Sequence, residues 1–463
     1  MANPRVIFRS PTSIRGDVHH APLIGLYVIR DVLATLNIKA TVLDSLIEPD
    51  ITPEEIAQQY DFLGQSSYYH SLIQDIEFCN KVKKINPNIF VLFGGPGAAL
   101  DIQTIMDYSL ADGIYQGNDV SEIAKIIKGD YANAKGLIWR PQGKPKYHSS
   151  EVLEKQYNAV IWNTIPFDKY WQILDDLKQP HDNIIRLCTS SYCVKSCSFC
   201  CHSALKDQIY EPTTMKHCYL SNETLIQLLT KINKMVPAAK QIFFQDDDFF
   251  LYPERKLFFY ELITAGFNKY KYIILTSEQS IMPMLDEASF MFSAGVRKIC
   301  IGVENIASRI LHKISDRTQL YTIAKTLIDH GIDVYCCMIL FTPDETLLSL
   351  QENISFCQKI REIGGEVGIT LGVWALKGSY LERNYQSNIV NVKLENMVIP
   401  YKTVLSVWDS RTNALYHRIR EKIDNYHKNI TFKSKETYAD FVLDEIEKEL
   451  GEISPKEIYQ QIR

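Results

Sequence analysis

Between residues 193 and 200 the chain reads Cys193-Val-Lys-Ser-Cys197-Ser-Phe199-Cys200, three thiols at CxxxCxxC spacing with an aromatic ring before the last. A short loop with that spacing can wrap three thiolates around an iron–sulfur cluster. Such clusters ordinarily take four cysteines, so a loop that supplies three leaves one iron open for a substrate or cofactor. The alternative is a structural zinc site completed by the nearby Cys188, Cys201 or His202. Zinc motifs usually pair one CxxC with a second distant pair, which this sequence lacks. Further along, an apolar run at Gln241–Phe244 ends in Asp246-Asp247-Asp248. Three successive carboxylates repel one another unless they face a cation or solvent. A solvated turn or helix cap accounts for Asp248.

The frame around these residues is large. A chain of 463 residues has room for two or three domains with substantial cores. The net charge of −5, without a long basic run, argues against a nucleic-acid surface. The first residues lack the order of a secretory signal, and no apolar stretch approaches the ~20 residues of a spanning helix. Eleven cysteines, an odd number, argue against complete disulfide pairing and suit a reducing compartment. A soluble, cytoplasmic protein is expected.

Residues 1–150 alternate strand and helix patterns: Val6–Phe8, a helix over Leu23–Leu36, Ala40–Leu43, a helix near Pro53–Tyr60, Phe62-Leu63, a helix over Ile73–Lys84, and Ile89–Phe93. One helix between successive strands predicts a parallel, doubly wound, Rossmann-like α/β sheet. Ligands sit beyond the carboxyl ends of such strands, which makes Gly64-Gln-Ser66-Ser67 and Gly94-Gly95-Pro96-Gly97 the candidate contacts. Gly136–Pro180 reads as connecting sequence, with domain boundaries at 1–150, 151–182, 183–385 and 386–463. Six strand–helix units then follow, with strands near Ile184–Cys188, Gln241–Phe244, Tyr272–Thr276, Lys298–Val303, Asp333–Phe341 and Gly368–Ala375. Ser221 is a good N-cap for the helix carrying Leu225, Leu228, Leu229 and Ile232. Residues 386–463 read as helical. Cys336 and Cys337 stand side by side in the fifth strand, where alternation sends one of them to the interior face. Buried cysteine also serves as a small hydrophobe, the favoured reading of this pair, and Cys188, Cys218, Cys300 and Cys357 are read as structural.

The cysteine loop resembles the signature of the radical S-adenosylmethionine (SAM) enzymes, and the N-terminal half resembles the cobalamin-binding domain of one large subgroup. The second likeness rests on His20-Ala-Pro22-Leu23-Ile-Gly25-Leu26, Asp61–Ala99 and Gly113–Ile127, with Asn163–Ile173 similar to the subgroup's connecting segment. Gly16-Asp17-Val18-His19 mimics a cobalt-ligating element of other cobalamin proteins. Pro22 stands where its glycine belongs, so His19 reads as a loop histidine.

The resemblance implies a partial (β/α)6 TIM-type barrel holding a 4Fe-4S cluster on Cys193, Cys197 and Cys200. The open iron would chelate SAM, and reductive cleavage would yield a 5′-deoxyadenosyl radical. It further implies that Asp246 and Asp247 accept hydrogen bonds from the SAM ammonium group. Ser277 and Glu278 would reach the ribose or the methionyl carboxylate. Gly302 and Glu304, within Ile299–Glu304, would lie near the adenosine, and Phe199 would face the adenine. Ser66, Ser67, Gly94 and Gly95 would line a cobalamin site, and flavodoxin or ferredoxin would donate the electron. The expected reaction is cobalamin-dependent C-methylation of a peptide or natural product. Peptide epimerisation, with Cys336 or Cys337 returning a hydrogen atom, is the rival, and a non-catalytic docking protein with a structural metal is the alternative from another class. Ring rearrangement and dehydration stay open. Methylthiolation of transfer RNA is disfavoured, since no basic RNA-binding module follows the barrel.

Overall fold

The computed structural model describes residues 4–12, 23–45, 47–48, 51–139, 165–176, 184–191, 193–209, 218–251, 254–313, 315–385, 387–394, 397–429 and 435–452. They fall into two compact units, one of residues 1–194, 201–239 and 391–400 and one of 195–200, 240–390 and 401–463. Asp17, His19 and His20 lie outside the described residues.

In the first unit, Val6–Arg9, Ala40–Leu43, Phe62–Ser66, Phe90–Gly94 and Gly113–Tyr115 form a parallel sheet in spatial order 2-1-3-4-5. Order reverses between the first and third strands, and a crevice opens there at the carboxyl ends. Local chemistry explains the helices. Thr52 and Glu55 form a capping box ahead of Pro53–Gln59, with proline at the first turn where its missing N–H costs nothing. Gly64 is required by packing, because a Cβ there would lie 2.3 Å from the Phe8 ring. Phe8 tilts against Phe62, which stacks on Phe90, and Phe90 in turn stacks on Tyr131 at the edge of the core. The connecting stretch is less structureless than its sequence reads. Leu137–Trp139 joins the sheet antiparallel to Gly113–Tyr115, and Phe167–Asp176 is helical. Ser221 caps Asn222–Met235 as expected, and its four predicted apolar residues are buried.

The second unit holds the expected parallel strands in consecutive order: Gln241–Phe244, Lys271–Thr276, Val296–Glu304, Asp333–Phe341 and Glu366–Gly372. Helices between them supply the layer that an open partial barrel needs on its outer face. Val334, Cys336, Met338 and Leu340 are buried on one face of the fourth of these strands, while Tyr335 and Cys337 alternate onto the other. Residues 387–405 depart from the helical expectation. Ser387–Leu394 and Met397–Leu405 pair as a two-stranded sheet, and helices begin only at Ser410. The β-branched residues Ile389, Val390, Val392, Val398 and Ile399 favour extended backbone over the helix that charged neighbours suggest.

Candidate active site

The cysteine loop is pinned at two points of the second unit. Lys195 donates to Ser277 and to Gln279 Oε1 (3.2 Å), and its ammonium lies 3.5 Å from Asp248. Ser198 donates through its backbone N–H to Leu311 O at 3.1 Å and through its hydroxyl to Ile310 O at 2.5 Å, while Leu381 N–H donates to Ser198 O. Cys197 and Cys200 therefore stand on an anchored turn, closed by Cys200 N–H to Cys197 O at 3.2 Å. Cys193 belongs to the first unit. None of the three is in a disulfide, and all are partly exposed. Burial raises the Cys197 thiol above its ordinary value, against the pull of the Lys313 and Lys195 ammonium groups. Among the described residues no three His, Cys, Asp or Glu side chains are arranged to hold a metal ion. The donor chemistry fits a thiolate-bound cluster: reduced, accessible thiols in one short loop, with two ammonium groups beside the middle one.

Beside Cys197 opens a polar pocket of about 200 Å³, lined by Lys195, Ser277, Glu278, His312, Lys313 and their neighbours. Glu278 is 4 % exposed. One of its oxygens accepts from Asp316 N–H at 3.2 Å, and the other is buried without a hydrogen-bond partner. Burial raises its pKa, against the hydrogen bonds from Asp316 and Ser315. An orphaned carboxylate oxygen in a buried site is costly unless a ligand donor meets it.

The acidic run divides differently from its sequence reading. Asp247 is exposed, whereas Asp246 and Asp248 are buried. Asp248 is no solvated turn residue. It accepts from Thr276 Oγ1 (2.7 Å), Ser277 Oγ (2.6 Å) and Ser280 Oγ (2.8 Å), and it faces Lys195. Its work is to lock the strand end that presents Ser277 and Glu278. Neither Asp246 nor Asp247 lines the polar pocket.

Gly302 and Glu304 are linked to the same pocket through Lys313, which lines it. Glu304 has a left-handed backbone (φ 66°) at an irregularity in strand pairing, and its carboxylate turns back to meet Lys313 Nζ at 2.9 Å. A Cβ on Gly302 would lie 2.7 Å from that ammonium, so glycine makes room for the pair. Burial opposes the charge on Lys313, but Glu304, Cys197 and Cys337 carry its pKa above the ordinary value. Cys337 is thus the partly exposed thiol of the pair, near enough to Lys313 to favour its charge. Cys336 is buried, with its pKa raised by burial and then by Cys337, Cys357 and Cys300. Phe199 packs on an apolar shelf of Leu311, Ile339, Val373, Ala375, Leu381 and Leu405.

The first unit has its own cavity, about 380 Å³, at the switch point of its sheet. Ser66, Gly94 and Gly95 line it, together with Phe8, Gly25 and Tyr68. Ser67 lies behind the lining, tying the two strand ends together through Ser67 N–H to Gly94 O (2.9 Å) and Gly97 N–H to Ser67 O (2.8 Å). Gly95 has φ 84°, and a Cβ there would stand 2.8 Å from Ser66 Oγ. Asn118 also lines the cavity, and both polar atoms of its carboxamide are buried without partners. Cys188, read from sequence as a structural residue, is exposed and lines this cavity. Apolar walls, a glycine turn and an orphaned amide fit a bulky cofactor whose rim carries hydrogen-bonding amides, as cobalamin does. Asn118 had no sequence signal, since an isolated Asn in a Gly-Asn-Asp turn looks like any other turn residue.

This two-part architecture, a cavity-bearing Rossmann-like sheet and an open β/α sheet with a cysteine loop, is the fold of the cobalamin-dependent radical SAM enzymes. It is shared with the radical SAM methyltransferase TsrM of Kitasatospora setae, solved with cobalamin and a [4Fe-4S] cluster. The match has a TM-score of 0.64 and 12% identity, over 86% of this chain and 78% of that one. The cobalamin-dependent SAM radical enzyme OxsB, solved with aqua-cobalamin and SAM, superposes with a TM-score of 0.68 and 15% identity, over 95% and 70% of the two chains. In sequence, the chain is 22% identical over 338 residues to an uncharacterised methyltransferase of Pyrococcus horikoshii, covering 69% of each. No family model matches the chain.

Proposed function

We propose that this chain is a cobalamin-dependent radical SAM enzyme that C-methylates an unactivated carbon of a peptide or natural product in a reducing cytosol. The observation that carries the reading is the polar pocket beside Cys197, with one oxygen of the buried Glu278 lacking a donor. Cys193, Cys197 and Cys200 would hold the cluster. Glu278 and Ser277 would take the polar end of SAM, and the cavity with Gly94, Gly95 and Asn118 would hold cobalamin. When bound, these groups supply the radical that removes a hydrogen atom and the methyl group that replaces it. The chain's residues orient and enclose. Asp248 fixes Ser277, Lys313 sets a positive charge beside Cys197, and the apolar shelf under Phe199 excludes water.

A second reading, peptide epimerisation, is favoured by one observation: Cys337 is partly exposed and near enough to Lys313 to favour its charge, whereas Cys336 is buried. A thiol there would return a hydrogen atom to a substrate radical. Anaerobically reconstituted protein, incubated with candidate peptides and natural products and with SAM deuterated at its methyl group, separates the two by mass. A gain of one labelled methyl supports methylation. Incorporation of one solvent deuterium in D2O, lost in Cys337→Ala but kept in Cys336→Ala, supports epimerisation. Neither product, with the cluster intact, would remove both.

A further inference from the structure

Among the described residues three non-glycine positions have left-handed backbone, and two of them, Glu304 (φ 66°) and His312 (φ 51°), bracket one loop. That conformation is strained for an L-residue and persists only where surrounding contacts over-determine it. The loop delivers His312 and Lys313 to the polar pocket. It also offers the Ile310 and Leu311 carbonyls that hold Ser198 in the cysteine loop.

A buried polar cluster grips this loop. Asn305 is 1 % exposed. Its Oδ1 accepts from Ala307 N–H (2.9 Å), Ser308 N–H (2.8 Å) and Asn353 Nδ2 (3.1 Å). Its Nδ2 donates to Ile339 O (3.0 Å) and Glu345 Oε2 (2.7 Å). Asn353 Oδ1 accepts from Ile306 N–H at 3.1 Å. Asp344 accepts from Arg309 N–H (2.9 Å) and from the Ser308 hydroxyl (2.7 Å). The loop has no regular structure of its own, so side chains make the backbone bonds that a helix or strand would make.

We infer that Asn305, clamped by Glu345 and Asn353, is a positioning residue for the proposed site. Its carboxamide holds the strained 304–312 loop in the one shape that brings Lys313 beside Cys197 and supplies Ser198 with its acceptors. This rests on the radical SAM reading for its functional meaning, though not for its mechanics.

The test compares wild type with Asn305→Ala, Asn305→Asp, the milder Ser308→Ala and, as a control, Leu320→Ala, a core truncation in the same unit away from the loop. Hydrogen exchange of segments 196–200 and 306–313 is followed in the apoprotein. Iron release to a chelator is followed in the anaerobically reconstituted protein. Both Asn305 variants are expected to speed exchange in both segments by on the order of tenfold, and iron release by roughly fivefold. Ser308→Ala should give about threefold in exchange, and Leu320→Ala less than about twofold. At about pH 8, where Glu345 is ionised, the isosteric Asp variant keeps the shape but sets an acceptor against an acceptor, so it should resemble the Ala variant. Unchanged exchange at 196–200 in Asn305→Ala, or equal effects in Leu320→Ala, would overturn the inference; if Asn305→Ala does not fold, Asn305→Asp and Ser308→Ala decide. A wild type that takes up no iron would sink the radical SAM reading while leaving the exchange comparison decisive for the loop.

Discussion

Glu345 offers the sharpest test of the electrostatics around this loop. It is 2 % exposed and accepts from Ser349 Oγ (2.5 Å), Asn305 Nδ2 (2.7 Å), Thr342 Oγ1 (3.2 Å) and Asn353 Nδ2 (3.3 Å). Four donors favour the carboxylate, while burial, first in size, and the adjacent Asp344 favour the acid. Burial wins, and the pKa is pushed from 4.5 up to about 7. At about 1.4 kcal/mol per tenfold change in proton affinity, that displacement is worth about 3 kcal/mol. The folded chain then holds a proton that the unfolded chain has already lost, so between about pH 4.5 and about pH 7 stability falls as pH rises. The contribution is complete below the unfolded value and gone above the folded one. Glu345→Gln removes the titration, and Ser349 can reverse its hydroxyl to accept from the new amide. Urea unfolding of both apoproteins at about pH 5.5 and about pH 8 should show the wild type losing about 2 kcal/mol relative to the variant across that interval. Parallel profiles would mean that Glu345 titrates near its ordinary value. A wild type that instead gains on the variant as pH rises would mean that the donors outweigh burial.

Other outcomes follow from single contacts. Asn118→Leu should leave apoprotein stability unchanged or raise it by about 1 kcal/mol in urea unfolding, because it deletes an orphaned amide. The same change should weaken retention of added corrinoid severalfold on a desalting column. Gly95→Ala should cost at least about 2 kcal/mol, read as a lowered Tm, because the residue combines φ 84° with a Cβ only 3.0 Å from Ser67 N. Lys313→Met should cost about 3 kcal/mol in urea unfolding by stranding the Glu304 carboxylate, and the double variant with Glu304→Gln should recover most of it.

Much of the architecture was legible in the amino-acid order. Strand and helix periods are local, so both parallel sheets could be read from apolar spacing, helped by the N-cap at Ser221. The cysteine spacing was equally plain. Two segments misled for identifiable reasons. Leu137–Trp139 is too short for its alternation to register, and it is a strand only because the edge at Gly113–Tyr115 accepts it. The ribbon at 387–405 was hidden beside long helices whose composition dominated that region.

The linear order by itself determined which chemistry the chain can offer: three thiols on one turn, carboxylates past strand ends, and glycines where a cofactor must come close. Tertiary structure alone decided how that chemistry is shared out. It made Asp248 a buried anchor for Lys195 and left Asp247 exposed, buried Cys336 while leaving Cys337 partly exposed, and stranded the Asn118 amide in a cavity. It also assembled Asn305, Asp344, Glu345 and Asn353 around a loop. The physical reason is range. Periodicity reports neighbours a few residues apart, whereas Asp248 meets Lys195 and Asn305 meets Asn353 from 48 or more positions away, and burial by such distant partners sets each polar group's charge and role.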